Sequence, residues 1–508
     1  MSVDAAILAR MKRLEALVAE RDCQLAERDR QLAERDALIA KLERRVAELE
    51  ELLGANSSNS GKPPSSDTPA ERAERRKTTS RHRKRSGRKR GGQPGHKGHS
   101  RKLVALEDVD EVVPCRPEVC CGCGATLLPG VEPVTVQREQ VFELPPIVPL
   151  VTEYRRERVA CGACGIETVG ARPAGAPPGG YGPRLTAFVA MLTGVYHLGR
   201  RRVVELLLDG LGVRMSLGAV SGCEHRVSGA LAAAHDEARE HVSNAETRYV
   251  DATTWWSGSA SASVWVVATT VVTFLAITAR STRQALLGLI GRVAGRVVCD
   301  RATVFDCWVG SARQTCWAHL LRYFEAMLER AGPSRRIGYD LCLLSGAMFH
   351  VWHQLKAGAI DRARLQVALR DARYDPLPEA RNAPMSFVER VRALLEEGTR
   401  SDHPKTAGTC RDLLDKHWDS LWTFVDVEGV EPTNNHGERE LRWAVLWRKR
   451  SFGTQSDRGD RFAERILTTA RTLRKQERHL LTFLVQSIRA AWSGTAPPSL
   501  LPSDHVTP

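Results

Sequence analysis

The sequence predicts a multidomain α/β protein: an N-terminal coiled coil, a zinc-ribbon-like module, a helical domain, and an α/β unit carrying a large helical insertion. Three observations predict it. A seven-residue apolar beat runs through residues 1–53, two Cys-x-x-Cys pairs follow in the next third of the chain, and from Arg248 the texture changes to β-branched runs of strand length.

A chain of 508 residues exceeds one ordinary domain, so three or more units are expected. Its 42% hydrophobic content is enough to bury a core. A formal charge of +14 and a pI near 9.4 favour a polyanionic partner, either nucleic acid or an anionic membrane. No apolar run reaches the length of a membrane span and the N-terminus is charged, which predicts a soluble cytoplasmic protein. The thirteen cysteines are odd in number in a large chain, and four of them form the two Cys-x-x-Cys pairs. In a reducing compartment that pattern points to metal rather than cystine.

In residues 1–53, Met11, Val18, Leu25, Leu32, Ile39, Val46 and Leu53 recur every seventh position and form one seam of a coiled coil. The companion seam reads Ile7, Leu14, Arg21, Arg28, Arg35, Leu42, Leu49. Its central arginines weaken the pairing, yet self-association explains a pattern of this length better than a single solvated helix does. Residues 54–110 are read as a flexible linker followed by a basic DNA-binding segment. The Asn56–Asp67 stretch has turn composition with no core-forming residue, and from Arg72 to Lys102 the only carboxylate is Glu74. Arg83, Lys84, Arg85, Arg88, Lys89, Arg90 and Lys97 are its candidate phosphate contacts, and Gly91, Gly92, Gly95 and Gly98 permit close approach.

Residues 111–171 form the zinc-ribbon-like module. Cys120 and Cys123, then Cys161 and Cys164, are each followed by glycine (Gly124, Gly165), the pattern of two turns that wrap one tetrahedral zinc ion. Cys115 and Cys121 are further candidate ligands. The intervening Val134, Val136, Val141 and Val151 read as short strands. After a Pro- and Gly-rich linker, residues 183–243 show helical periodicity, broken at Gly210–Gly212 and restarted at Ser216. A helix-turn-helix and a plain helical bundle both fit that pattern.

Residues 246–310 read as the first part of the α/β core. Tyr249-Val250-Asp251 opens it, strands follow at Val264–Ala268 and Val271–Ala279, and a helix over Thr282–Val293 leads into Arg296–Asp300. Two strands therefore each end in an aspartate, where an open α/β sheet places its ligand crevice. Residues 311–430 read as a helical insertion whose Trp317, Trp352, Trp418 and Trp422 are more simply core residues than base-stacking platforms. Residues 431–492 return to the core through a helix capped by Thr433 or Asn434, with Glu438 and Arg442 on one face. Residues 493–508 read as a flexible tail.

These motifs, in this order, resemble transposases of the insertion sequence 66 family over roughly residues 7–490. The resemblance is carried by the Ser57–Asp67 linker, the Gly91–His99 motif and the paired Cys-x-x-Cys turns. Further along it is carried by Asp251 with Thr253 and Trp255, Asp300 with Asp306, Cys316-Trp317-Ala318-His319, and Asn434-Asn435-His436-Gly437-Glu438-Arg439. It implies a ribonuclease-H-like catalytic core with Asp251, Asp300 and Glu438 as a DDE triad. These three would hold two Mg²⁺ or Mn²⁺ ions for DNA cleavage and strand transfer. It also implies structural Zn²⁺, and as partners the element ends, target DNA, further copies of the chain and small accessory proteins of the same element, in a bacterial nucleoid. Arg439, Arg442, Arg448 and Lys449 would contact the DNA backbone near the cut. The sequence departs from the family pattern at Ala252, usually glutamate, and at Arg301-Ala302, usually glycine and tyrosine. An arginine beside a metal ligand would compete for it. Three other readings stay open: a zinc-containing DNA-binding regulator, a nuclease without strand transfer, and a catalytically decayed transposase copy.

Overall fold

The computed structural model describes Arg21 and residues 102–128, 130, 132–291, 295–373 and 384–502. The expected coiled coil, apart from Arg21, and the basic residues Arg83 to Lys97 lie outside the described residues. Two compact units are distinguished. One comprises Arg72–Ala171 with Val204–Ser216, and the other comprises Met1–Glu71, Arg172–Val203 and Leu217–Pro508. No helix of the described residues is long and apolar enough to cross a membrane.

In the first unit, an antiparallel hairpin of β1 (Arg158–Ala160) and β2 (Glu167–Val169) carries the second Cys-x-x-Cys turn. A single antiparallel bridge, Val119 to Thr126, flanks the first. The two turns are built alike: Gly124 N–H donates to Cys120 O at 2.9 Å and Gly165 N–H to Cys161 O at 2.8 Å. Both glycines have positive φ (75° and 72°), where a side chain would be strained, which explains their place after each pair. The valines expected to form strands between the turns do not. Val134, Val136, Val141 and Val151 are at least 73% exposed and none belongs to a strand. A β-branched run becomes a strand only where a neighbouring backbone pairs with it, and the hairpin closes around the second turn alone.

The second unit is a mixed helix–sheet structure. Its five strands are β3 (Thr247–Ser257), β4 (Ala260–Ala268), β5 (Thr273–Thr278), β6 (Arg296–Cys299) and β7 (Arg313–Thr315), ordered β5-β4-β3-β6-β7. The first three form an antiparallel meander, while β6 and β7 run parallel to β3. Gly258, at φ 60°, supplies the tight β3–β4 turn. Residues Val264 to Ala268 are at most 2% exposed, so this unbroken apolar run is covered on both faces. β7 falls inside residues 311–430, the stretch expected to be a helical insertion. Its Arg313, Gln314 and Thr315 are polar yet at most 2% exposed, and side-chain hydrogen bonds, such as Gln314 Oε1 accepting from Phe424 N–H at 2.8 Å, satisfy them.

Fourteen helices are present among the described residues. Before the sheet come α1 (Pro183–Gly194), α2 (Arg200–Leu211), α3 (Leu217–Ala230) and α4 (Ala232–Asn244), and α5 (Arg283–Ile290) joins β5 to β6. The run between β7 and the return to the core holds α6 (Trp317–Leu328), α7 (Pro333–Lys356), α8 (Arg362–Gln366), α9 (Phe387–Gly398), α10 (Pro404–Asp412) and α11 (Thr423–Asp426). The core is completed by α12 (Asn435–Ser451), α13 (Asp457–Lys475) and α14 (Leu480–Ser493). Helices α1, α3, α13 and α14 pack on one another, α12 lies on β3 and β4, and α13 lies on β5.

That last contact seals the open edge of the sheet. The β5 amides of Thr273, Leu275 and Ile277 donate to Thr472 Oγ1 (3.0 Å), Thr468 Oγ1 (2.9 Å) and Glu464 Oε1 (2.6 Å) on α13. Acceptors four apart on a helix repeat every ~6 Å, close to the ~6.6 Å between alternate residues of a strand. The tryptophans of the helical run are core: Trp317, Trp352 and Trp422 are 1%, 8% and 3% exposed, and Trp317 and Trp422 rings meet at 5.3 Å.

Candidate active site

Asp251 lies within β3, and Asp300 immediately follows β6. The parallel register pairs Tyr249 with Val298, so two residues further along the strands Asp251 comes level with Asp300. Glu438 enters from the first turn of α12. Among the described residues the oxygens of Asp251, Asp300 and Glu438 do not all gather within 4.8 Å of one another. Burial, reinforced by the charges of Asp300 and Glu438, pushes the Asp251 pKa up to about 7 against the opposing pull of Ala252 N–H and Arg322. Asp251 Oδ1 accepts from Ala252 N–H at 2.8 Å, and Asp300 Oδ1 accepts from Ala302 N–H at 2.9 Å.

The residues around Glu438 explain its motif. Asn434 occupies the N-cap position, but its side chain does not cap the helix as expected. Asn434 Nδ2 instead donates to Val250 O at 2.8 Å, pinning the start of α12 to the residue before Asp251. A Cβ on Gly437 would stand 2.6 Å from Asn434 Oδ1, so only glycine leaves that amide its place. The His436 ring lies 4.8 Å from that of Tyr249. The far end of α12 is tied down too: Thr454 N–H donates to Trp256 O at 2.9 Å, and Gly453, at φ 95°, passes so close to Trp256 that a side chain would collide with its backbone. Both ends of α12 are thereby fastened to β3.

Helix α6 supplies two groups on the other side of Glu438. His319 Nδ1 stands 3.5 Å from Glu438 Oε1, and Arg322 Nη2 stands 3.8 Å from Oε2. Arg322 was not singled out by the sequence: it is one arginine among many, and only the fold brings it to Glu438. Asp306 does not join the three carboxyls and instead accepts from Arg313 Nη1 at 3.1 Å. Arg301 does not turn to its neighbour Asp300. Its Nη1 donates to Asp412 Oδ2 at 2.8 Å and its guanidinium lies 4.3 Å from the Tyr323 ring centre, so the expected competition for Asp300 has no support in this arrangement.

Of the basic residues expected near the cut, Arg439, Arg442 and Lys449 are exposed. Arg442 and Lys449 stand four and eleven positions after Glu438, on the same helical face. Arg448 instead reaches back to β3, where Nη1 donates to Thr254 O at 2.5 Å and Thr253 Oγ1 at 3.2 Å.

Glu438 Oε1 is buried, makes no hydrogen bond and stands 3.5 Å from His319 Nδ1. At the other candidate metal site, the amides of Cys123 and Gly122 hold the Cys120 thiol below its usual pKa, and those of Ala163 and Cys164 do the same for Cys161. That bias toward thiolate suits zinc. Among the described residues the four sulfurs do not gather within 4.8 Å of one another; Cys115, before the first turn, and Cys121, inside it, are both exposed.

The zinc-finger binding domain of transposase IS66 matches residues 117–165, which span all four of those cysteines and support structural zinc. A family of unknown function matches residues 7–102. No curated protein matches the chain. The family model described as Transposase IS66 family matches residues 178–461, more than half of the sequence and a stretch containing Asp251, Asp300 and Glu438. The chain belongs to the Transposase IS66 family.

Proposed function

We propose that this protein cuts and joins DNA at the ends of a bacterial insertion sequence, with Asp251, Asp300 and Glu438 as the reactive centre of a ribonuclease-H-like core. One observation supports the reading: the parallel β3–β6 register sets two aspartates level, and burial, with smaller contributions from the charges of Asp300 and of Glu438 on α12, pushes Asp251 up to about 7. The strand order, with three antiparallel strands followed by two parallel to the first, supports the fold assignment.

Three crowded carboxylates in a partly buried site repel one another, and a cation relieves that repulsion. Asp251, Asp300 and Glu438 would hold the Mg²⁺ ions, which would activate the attacking oxygen and stabilise the leaving oxygen of an in-line displacement. The chain itself positions the DNA. Arg439, Arg442 and Lys449 extend from Glu438 along α12 and neutralise phosphates beside the cut, while Arg448 steadies β3 at Thr253 and Thr254. Water first breaks the phosphodiester and leaves a 3′-hydroxyl at the element end. That hydroxyl then attacks a target phosphodiester, so each bond broken is matched by one formed and no covalent protein intermediate arises.

Binding to element ends, through the basic residues Arg83 to Lys97 and the zinc module, and self-association through residues 1–53 belong to the same proposal. Asp300→Asn tests it: cleavage of an element end in Mg²⁺ falls by at least about a thousandfold, as loss of a key electrostatic group does in other enzymes, while a mobility shift shows DNA bound as before. Full cleavage by that variant would falsify the assignment. Cleaved ends without joined product from the unmodified protein favour the nuclease, and no cleavage in either metal favours the decayed copy or the regulator.

A further inference from the structure

The carboxylate of Glu438 also faces a second set of donors. Cys316 Sγ, a ring nitrogen of His319 and an oxygen of Glu438 lie within 4.8 Å of one another. The fold brings them together by design of two elements. Cys316 directly follows β7 as the N-cap residue of α6, and His319 comes three residues later on the same helix. The start of α12 is tied to this point, since Asn434 N–H donates to Cys316 Sγ at 3.1 Å and Trp317 N–H to Pro432 O at 2.9 Å.

Two of the three donor atoms are left without hydrogen bonds. His319 Nδ1 and Glu438 Oε1 are both buried, and neither makes one, although they stand 3.5 Å apart. Two ligands each about 2.0–2.1 Å from a shared tetrahedral ion lie about 3.4 Å apart, which this spacing matches. An N–H···O bond of good geometry would be shorter. The donor types differ from those of the aspartates. Thiol, imidazole and carboxylate together suit Zn²⁺ or Co²⁺, whereas Mg²⁺ takes oxygen and avoids sulfur. Burial pushes the Cys316 thiol up, and the amides of Asn434, His319 and Ala318 only partly oppose it.

We propose that Cys316, His319 and Glu438 form a transition-metal site that takes zinc with a water in the fourth position, distinct from the zinc of the Cys-x-x-Cys turns. Zinc at this site competes with a magnesium ion beside the aspartates for the Glu438 carboxylate. Zinc held here withdraws Glu438 from Asp251 and Asp300 and stops DNA cutting. That consequence, though not the binding itself, rests on the three-carboxylate reading above.

The test is equilibrium dialysis of the full chain against buffered zinc, followed by metal counting. Unmodified protein retains one zinc per chain more than the Cys316→Ser variant. The His319→Gln variant, altered at a partly exposed position, also loses that zinc, with affinity reduced by more than about tenfold. Asp251→Asn and Asp300→Asn retain it. Equal zinc counts in unmodified protein, Cys316→Ser and His319→Gln overturn the proposal, and so does loss of the additional zinc in Asp251→Asn, which assigns the ion to the carboxylates. In a magnesium-supplied cleavage reaction, added zinc abolishes cutting. Retained cleavage by Asp300→Asn sinks the three-carboxylate reading and leaves the zinc counts, and so the site, untouched.

Discussion

Glu438 and Glu440 stand two residues apart on α12 and do opposite things. Glu438 faces His319 and Arg322, and its Oε1 is left without a hydrogen bond. Glu440 is 4% exposed and accepts from Arg471 at 2.8 and 3.2 Å and from Thr273 Oγ1 at 3.1 Å. Burial pushes its pKa up, but Arg471 and Lys475 outweigh burial and hold it below the usual value. Removing one member of a buried pair strands the other, so Glu440→Gln is expected to destabilise the fold by about 3 kcal/mol. Glu438→Gln, by contrast, relieves repulsion and leaves the melting temperature unchanged or higher while abolishing cleavage. Thermal unfolding and a nicking assay on both variants check the contrast, and equal melting points would defeat it. Helical spacing alone does not tell the two glutamates apart, and the motif resemblance picked Glu438. Asp300 follows the apolar run of β6 as expected, whereas Asp251 stands inside β3 rather than at its end, because the strand continues to Ser257. His319 and Arg322 were harder to place, since their partner lies on a helix far along the chain.

At the scale of elements, legibility follows burial. The Val264–Ala268 run is a covered strand, whereas the valines between Val134 and Val151 carry a similar β-branched texture and lie exposed. β7 was hidden for the reverse reason, because its buried residues are polar and only their partners explain them. The stitching of α13 to β5 likewise depends on two elements whose sequences are nearly two hundred residues apart. It makes two predictions. Thr468→Val keeps the shape but leaves Leu275 N–H buried without an acceptor, costing about 1–3 kcal/mol in chemical denaturation; a smaller change would mean that another acceptor replaces the hydroxyl. Glu464 at the end of the same row has its pKa pushed up to about 7, mainly by burial. A carboxyl raised in the fold contributes stability that is fully present below its unfolded pKa, and that contribution is lost as pH rises through about 7. Unfolding free energy is therefore expected to fall by about 1–2 kcal/mol between pH 5 and 8, after allowance for partial exposure. Glu464→Gln should flatten this portion of the pH profile, and an unaltered slope would show that other groups cause it.

For the whole molecule, the charge of +14 is concentrated in the basic segment from Arg72 to Lys102, which precedes the zinc-finger match. DNA affinity should therefore depend steeply on salt. The seven-residue beat of residues 1–53 predicts that their deletion lowers the oligomer order seen in sedimentation without altering the metal content of the zinc-finger region. An unchanged sedimentation coefficient per subunit mass would defeat that expectation. The paired Cys-x-x-Cys turns were readable because their spacing is local, and the zinc-finger match covers them. The sheet order was not, since local patterns carry no information about which strands become neighbours.

The fastening of α12 at both ends has a mechanical corollary. With Asn434 locked to Val250 at one end and Thr454 to Trp256 at the other, the helix cannot swing as a lid over the aspartates without breaking either anchor. Adjustment there is thus left to the side chain of Glu438 rather than to the helix that carries it. Slow amide hydrogen exchange along α12 and the adjoining part of β3, with or without DNA, is the signature of such an anvil.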